Sequence, residues 1–223
     1  MGAPPSRLAC VPPAQPYPVL MEPAPSNLAQ FKHAAAIKDW AEWADRVEAA
    51  PDDAIPDNLP GDWWVAHTKP RMEKALGREL HARGIAFYLP LRVNATYSQS
   101  SGRRSHALVP VFPGYVFFNA DEKTRYIAMR TSRIANVLPV TDQTELVGEL
   151  RDVQRVLLAG STFAVENAIQ TGQHVRVDQG PLRGLEGIVV RRLNSLRLAI
   201  NVRMLSQAVL VEVSEDQLVR IAN

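Results

Sequence analysis

The chain has 223 residues, 46% of them hydrophobic and 22% charged, so folded globular structure is expected rather than disorder. No apolar run approaches the roughly 18 residues of a membrane-spanning helix, and the chain does not open with a basic region followed by an apolar segment, so we expect no membrane span and no secretory signal. Cys10 is the single cysteine, which excludes an intrachain disulfide and a thiolate metal cluster. A cytoplasmic location is consistent with these features.

The net charge of +2 is unevenly distributed along the chain. Residues 1–60 hold four Lys/Arg against eight Asp/Glu, residues 61–160 hold fourteen against nine, and residues 161–223 hold seven against six. Within residues 69–106 there are eight basic residues and only two acidic ones, Glu73 and Glu79. Such a patch suits a nearby polyanion, although an ordinary solvated helix face and a soluble loop would have the same composition.

Residues 1–60 are predicted to form a Pro/Ala-rich extension. They hold eleven of the seventeen prolines, which remove backbone donors and restrict the preceding residues, so residues 4–25 are expected to be extended. Residues 27–50 have apolar residues at three- and four-residue spacing and predict an amphipathic helix. Its Trp40 and Trp43 are expected to pack on the following domain, with partner binding as the alternative.

Residues 61–160 predict one sheet covered by helices. In chain order, residues 63–66 predict a strand, 71–83 a helix stopped by Gly84, and 85–91 a second strand. Residues 94–106 predict a polar loop or hairpin tip, and 108–118 a strand interrupted at 113–114. Residues 122–131 predict a helix, 137–140 a strand and 144–158 a strong helix.

The pattern changes after Gly160. A linker is expected at 161–169, and four short β-rich runs follow at 175–177, 188–190, 198–202 and 209–213, separated by turn signals. Regular short strands without a helix indicate a small closed β-barrel of five strands at 170–223. The β-branched content of these runs favours a permanent barrel, with few contacts to the first domain.

Several motifs in this order resemble the NusG family of transcription factors. Residues 63–73 (WWVAHTKPRME) resemble the first strand and helix of its N-terminal domain, called NGN, and residues 112–118 (FPGYVFF) resemble the central strand motif of that domain. Residues 131–137 fit the turn before its fourth strand. Residues 172–177 and 180–189 resemble the KOW motif. The long amino-terminal extension and the short loop at 94–106 are closer to RfaH-like specialised paralogues.

The resemblance implies an α+β fold, with an NGN α/β sandwich at 61–160 and an SH3-like KOW barrel at 170–223. It implies an elongation or antitermination factor whose NGN domain binds the clamp helices of the largest RNA polymerase subunit, faces the non-template DNA strand and suppresses pausing. It further implies that the KOW domain couples to a small-subunit ribosomal protein or to Rho. No cofactor and no metal are implied.

Candidate site residues follow from the resemblance and from the pattern together. Tyr115 and Phe117 have the same parity on one strand and are expected on a face left open for a partner. The proposed polymerase-binding residues are His67, Tyr115, Phe117 and Arg133. The proposed nucleic-acid-binding residues are Lys69, Arg71, Lys74, Arg78, Arg103 and Arg104. In the second domain, Met204 and Leu205 lie on a short loop, where one of them should be exposed. We expect Leu205 to be that exposed partner contact, with Met204 beside it.

An enzyme and a ribosome-associated RNA-binding protein are the two alternative classes for this sequence. An enzyme is disfavoured because the five histidines show no metal-ligand spacing and no phosphate loop or nucleophile elbow is present, so we expect no catalytic residues. A ribosome-associated KOW RNA-binding protein is the main alternative. Such a protein would be far more basic than residues 161–223, whose net charge is only +1 from seven basic and six acidic residues.

Overall fold

The computed structural model describes residue 55 and residues 59–97, 104–192 and 195–221. The predicted tail and the predicted helix 27–50, with Trp40 and Trp43, lie outside the described residues. None of the described helices is long and apolar enough to span a membrane. The strands and helices, in chain order, are β1 (Asp62–Thr68), α1 (Glu73–Ala82), β2 (Phe87–Tyr88), β3 (Leu91–Tyr97), β4 (Arg104–Pro110), β5 (Tyr115–Ala120), α2 (Glu122–Met129), β6 (Ile134–Pro139), α3 (Gln143–Leu158), β7 (Phe163–Asn167), β8 (Gln173–Val177), β9 (Glu186–Arg192), β10 (Ser195–Val202), β11 (Gln207–Val213) and β12 (Leu218–Arg220).

A four-stranded antiparallel sheet, in the order β2-β5-β1-β6, organises the first domain. The side chains of each strand alternate between the two faces of the sheet, and helices cover both faces. Val116 and Phe118 pack with α1 and α2 in one cluster of buried residues. Trp63 and Phe117 pack with α3 in another. The first domain is therefore a sandwich with helices on both sides of one sheet.

The helices begin where their sequences provide a cap. Asp121 accepts a hydrogen bond from the Thr124 amide at the start of α2, and Asp142 accepts one from the Glu145 amide at the start of α3. Helix α1 has no side-chain cap and begins at Glu73, two residues later than predicted, because Arg71 has a left-handed backbone with φ 62°. Outside residues 94–106, the predicted order of strands and helices in residues 61–160 is observed, with bounds that differ by a few residues.

Residues 94–106 differ from the prediction. Strands β3 and β4 pair from Leu91 with Pro110 to Tyr97 with Arg104, so much of the expected polar loop is a two-stranded ribbon. Polar residues can form such a ribbon because backbone hydrogen bonds between the strands do not depend on the side chains. The tip of the hairpin, residues 98–103, lies outside the described residues.

The second domain is a six-stranded antiparallel sheet, in the order β12-β8-β9-β10-β11-β7. All four predicted β-rich runs form strands, which confirms the β character of this region. Among the described residues the outer strands β12 and β7 do not pair with each other, so strand pairing does not form the expected closed five-stranded barrel. The sixth strand comes from residues 161–169, which were predicted to be a linker: β7 pairs with β11 from Phe163 with Val211 to Asn167 with Gln207.

The two domains contact each other more closely than expected. Helix α3 lies against β10, and one cluster of buried residues runs from Val65 and Leu150 in the first domain to Leu198 and Val209 in the second. The prediction of few contacts between the domains is therefore wrong. It assumed a free linker, whereas β7 begins only a few residues after α3 ends and holds the second sheet beside that helix.

Candidate functional site

A tight turn between β4 and β5 forms the centre of the candidate site. The amide of Tyr115 donates to the carbonyl of Phe112 at 3.2 Å, and Gly114 has φ +86°, a conformation that favours glycine. The Gly114 carbonyl accepts a hydrogen bond from the Thr68 amide at 2.8 Å, and the Gly114 amide donates to Oε1 of Glu73 at 2.7 Å. The turn is therefore fixed to both β1 and α1.

Two aromatic side chains lie together beside this turn. His67 and Tyr115 are register partners on β1 and β5, and their ring centroids are 5.3 Å apart with the ring planes tilted by 34°. His67 is exposed and Tyr115 is half-buried. Pro113 is also exposed. Below, these three residues are called the aromatic patch. Rigid aromatic side chains provide contact area at low entropic cost, which suits a site that binds another protein.

Phe117 does not belong to this surface. Its side chain is completely buried, and its ring contacts Tyr88 and Phe112 with centroid distances of 6.3 Å in both cases. The expectation that Tyr115 and Phe117 share an open face is wrong for Phe117. The two residues do share a face, but α3 covers that face over Phe117, while α1 and α2 cover the opposite one.

Arg133 lies beside a basic edge of the domain. Its backbone carbonyl accepts a hydrogen bond from the Lys69 amide at 2.8 Å, so the turn before α1 and the turn before β6 are joined. Its guanidinium contacts Glu79 on α1 at 2.7 Å. Hydrogen bonds from Arg83 and from Arg133 hold the pKa of Glu79 below its ordinary range. Arg133 was predicted to bind polymerase, and the structure joins its backbone to Lys69 and its guanidinium to Glu79.

The other predicted nucleic-acid residues fall into different environments. Lys69 and Arg71 are exposed on the turn before α1. Lys74 donates to the carbonyl of Leu108 at 3.0 Å, and burial, then the charge of Arg78, lower its pKa. Part of the Lys74 charge is therefore used within the domain. Arg103 lies outside the described residues, and Arg104 is the first residue of β4.

In the second domain, the predicted partner contact is not at the surface. Leu205 lies in a one-turn 3-10 helix, Arg203–Leu205, and only 7% of it is exposed. The prediction that Leu205 is the exposed residue is wrong, because it packs in the same buried cluster as β10 and β11. Met204, its neighbour, is half-buried and packs against the margin of that cluster.

Arg203 joins the same turn to α3. Its guanidinium pairs with Glu145, its amide donates to Glu149 at 3.1 Å, and its Nε lies 3.7 Å from Glu149. Burial raises the pKa of Glu149 to about 7, and repulsion from Glu145 acts in the same direction, while the Arg203 amide opposes it. Burial likewise raises the pKa of Asp152 to about 6. The contact between the domains therefore includes carboxyl groups that titrate near neutral pH.

Sequence reasoning missed Glu73 and Arg203. Glu73 carried a signal, since it stands in the first turn of a predicted helix within a basic stretch, but its partner at Gly114 is 41 residues away in sequence. Arg203 carried no comparable signal. Its partners, Glu145 and Glu149, are 58 and 54 residues away on a helix of the other domain.

One comparison with known protein families matches the first domain. Residues 61–165 match the NusG family model, described as transcription termination factor nusG. No curated protein matches the sequence. The match begins one residue before β1 and ends within β7, so it spans the first domain.

Two solved structures resemble the chain more weakly. One, described as showing domain interaction in Thermotoga maritima NusG, is 16% identical, covers 72% of this chain and 97% of its own, and has a TM-score of 0.40. The other, a complex described as MjSpt4:Spt5 in conformation B, is 14% identical, covers 72% of this chain and 97% of its own, and has a TM-score of 0.22. Because both identities and both TM-scores are low, neither structure carries an argument about this chain.

Proposed function

We propose that this chain is a non-catalytic transcription elongation or antitermination factor of the NusG type. The observation that carries the proposal is the aromatic patch on a domain that matches the NusG family. Tyr115 and His67 lie in contact beside a turn that is held by the Thr68 amide and by the Glu73 carboxylate. The patch would bind the clamp helices of the largest RNA polymerase subunit and thereby suppress pausing. A cytoplasmic location belongs to this proposal.

The shape of the patch supports binding of a preformed partner rather than chemistry. His67 is exposed, and its ring lies 3.7 Å from the place where a side chain on Gly114 would begin, so the glycine leaves the ring uncovered. Tyr115 adds an aromatic face that is half accessible and is anchored in the buried cluster beneath. Helical partners bind to such apolar surfaces through a few large side chains.

The basic edge supports a second contact, with the non-template DNA strand. Lys69 and Arg71 are exposed on a turn that is joined to Arg133 by a backbone hydrogen bond, and the Arg133 guanidinium is paired with Glu79, so Lys69 and Arg71 carry the exposed charge of this edge. Phosphate groups require positive charge and no particular sequence. The edge would therefore contribute affinity and orientation on the DNA without reading bases.

The second domain is proposed to be the KOW part of a factor close to RfaH-like specialised paralogues. It would couple transcription to a small-subunit ribosomal protein or to Rho, as the resemblance to the NusG family implies. Its six antiparallel strands and the turn at Gly180 and Gly184, both with φ +85°, support this assignment. Leu205 is buried, so a partner contact in this domain would involve other residues.

The test of the polymerase contact compares two tyrosines. Tyr115→Ala removes the half-buried ring of the patch, whereas Tyr126→Ala removes a ring that is 64% exposed on α2. Binding of the full chain to core RNA polymerase is measured for both variants. We expect Tyr115→Ala to weaken binding by about tenfold or more, since central aromatic contacts contribute about 2 kcal/mol, and Tyr126→Ala to leave it unchanged.

Stability is measured beside binding, because a misfolded domain would also lose affinity. The free energy of unfolding of Tyr115→Ala should fall by less than about 2 kcal/mol, since the ring is only partly buried. Equal binding by both tyrosine variants and the wild type would show that the patch is not the polymerase contact.

A further inference from the structure

Glu73 is unusual among the charged residues of the structure. Its residue surface is only 8% exposed, and no other Asp, Glu, Lys or Arg among the described residues is buried to this extent. Among the described contacts, Oε1 of Glu73 accepts a hydrogen bond from the Gly114 amide at 2.7 Å. Burying a carboxylate costs free energy, and the hydrogen bond that it accepts from a backbone amide is a strong one. The position of Glu73 therefore requires an explanation.

The hydrogen bond acts on the Pro113–Gly114 peptide, one residue before Tyr115. Gly114 donates its amide to Glu73 and accepts the Thr68 amide at its carbonyl, at 2.7 Å and 2.8 Å. With φ +86° this residue has no steric preference of its own for the turn, because glycine populates several backbone regions equally. The two hydrogen bonds therefore select one conformation, and Tyr115 starts β5 from it.

The same hydrogen bond joins helix α1 to the turn before β5, which lie 41 residues apart in the sequence. Glu73 is the first residue of α1, and Gly114 follows the ribbon of β3 and β4. Thr68 holds the turn to β1, but β1 ends there, and the carboxylate provides the contact with α1. Without it the turn would keep its hydrogen bond to β1 but lose its contact with α1, and the Tyr115 ring would be held less firmly against His67 although the strand pairing remains.

We propose that Glu73 is a positioning residue of the aromatic patch: by holding the Gly114 amide it fixes the Tyr115 and His67 rings in the arrangement that a partner binds. This rests on the proposed function, in which the patch binds polymerase. A site that is fixed before its partner arrives avoids the entropic cost of ordering it on binding. Loss of the carboxylate should thus reduce affinity although Glu73 is not itself part of the exposed patch.

The variants separate the hydrogen bond from the charge. Glu73→Ala removes the acceptor, whereas Glu73→Gln keeps an acceptor oxygen and removes only the charge. Glu122→Ala is the matched control, because Glu122 is also the first residue of a helix and its side chain is 89% exposed. Tyr115→Ala is included as the test of the patch itself. All variants are made in the full chain, and their unfolding is followed to confirm that each is folded.

Two measurements are made on each variant. The first is hydrogen exchange of the Gly114 amide, with the Thr124 amide, which Asp121 holds, as internal reference. The second is the dissociation constant for core RNA polymerase. We expect Glu73→Ala to speed Gly114 exchange about tenfold or more and to weaken polymerase binding about fivefold or more. Glu73→Gln should restore most of both values, and Glu122→Ala should change neither.

The outcomes distinguish the inference from the function on which it rests. Unchanged Gly114 exchange in Glu73→Ala would overturn the positioning role directly, whatever polymerase does. Faster exchange with unchanged polymerase binding, while Tyr115→Ala binds weakly, would overturn it as well, because the patch would then not need the fixed turn. If Tyr115→Ala binds like the wild type, the proposed polymerase contact fails and the role of Glu73 at that contact fails with it, even if the exchange result shows that Glu73 holds the turn.

Discussion

The contact between α3 and the second domain should weaken as the pH rises. Glu149 is 13% exposed at its side chain and lies in a groove that His174, Glu186 and Arg203 also line. Burial raises its pKa from the ordinary 4.5 to about 7. The folded protein therefore binds more protons than the unfolded chain between these pH values, and the free energy of unfolding falls with rising pH across that interval.

The magnitude follows from the size of the shift. A difference between 4.5 and about 7 corresponds to at most about 3.4 kcal/mol, at about 1.36 kcal/mol for each pKa unit. The groove is open to solvent, so screening reduces this, and we expect about 1–2 kcal/mol. The stabilisation is fully present below pH 4.5 and is lost by a pH slightly above 7. Asp152, with its pKa raised to about 6, adds a change of the same sign.

The assay is urea denaturation of the full chain at pH 5 and pH 8. Glu149→Gln removes the titrating group, so its stability should change with pH by about 1–2 kcal/mol less than that of the wild type. Glu122→Gln is the control, since the Glu122 side chain is 89% exposed, and it should follow the wild type. An equal pH dependence for the wild type and Glu149→Gln would refute the reasoning that burial at this contact raises the pKa of Glu149.

Two further predictions concern residues whose roles the structure revises or retains. Leu205→Ala should lower the free energy of unfolding by about 2–4 kcal/mol, because it leaves a cavity. Leu158→Ala, at a residue that is 46% exposed, should lower it by less than about 1 kcal/mol. Chemical denaturation of both variants measures the difference. Replacing both Lys69 and Arg71 with Ala should flatten the plot of the logarithm of DNA affinity against the logarithm of salt concentration, by about one unit of slope for each lost phosphate contact. Arg183→Ala in the second domain should leave this slope unchanged. An unchanged slope in the double variant would contradict the proposed DNA contact.

Local patterns predicted the elements well. The apolar spacing of residues 144–158 predicted a helix that the structure shows at Gln143–Leu158, and the β-rich runs after Gly160 all form strands. These signals are short-range, since a helix or strand face repeats every few residues. The same patterns could not assign α1 and α3 to opposite faces of the sheet. Parity places Phe117 and Tyr115 on one face, but which helix covers that face depends on the path of the chain.

The candidate site was predicted only in part. Tyr115 and His67 lie together as the motif resemblance led us to expect, because both belong to adjacent paired strands. Glu73 was not predicted as part of the site, because its hydrogen bond to Gly114 joins residues that are distant in sequence. The exposure of Leu205 was inferred from the shortness of its loop, and burial in a cluster shared by both domains is a tertiary property that loop length does not determine.

Strand β7, residues 163–167, also determines the length of the free connection between the two domains. While β7 is paired with β11, only residues 159–162 connect it to α3, a span of at most about 14 Å for four extended residues. If β7 separated from β11, residues 159–172 would connect α3 to β8, and fourteen extended residues reach about 50 Å. The five residue pairs between β7 and β11 therefore limit the length of the connection between the domains. Their separation would make the connection that leads to β8 more than three times longer.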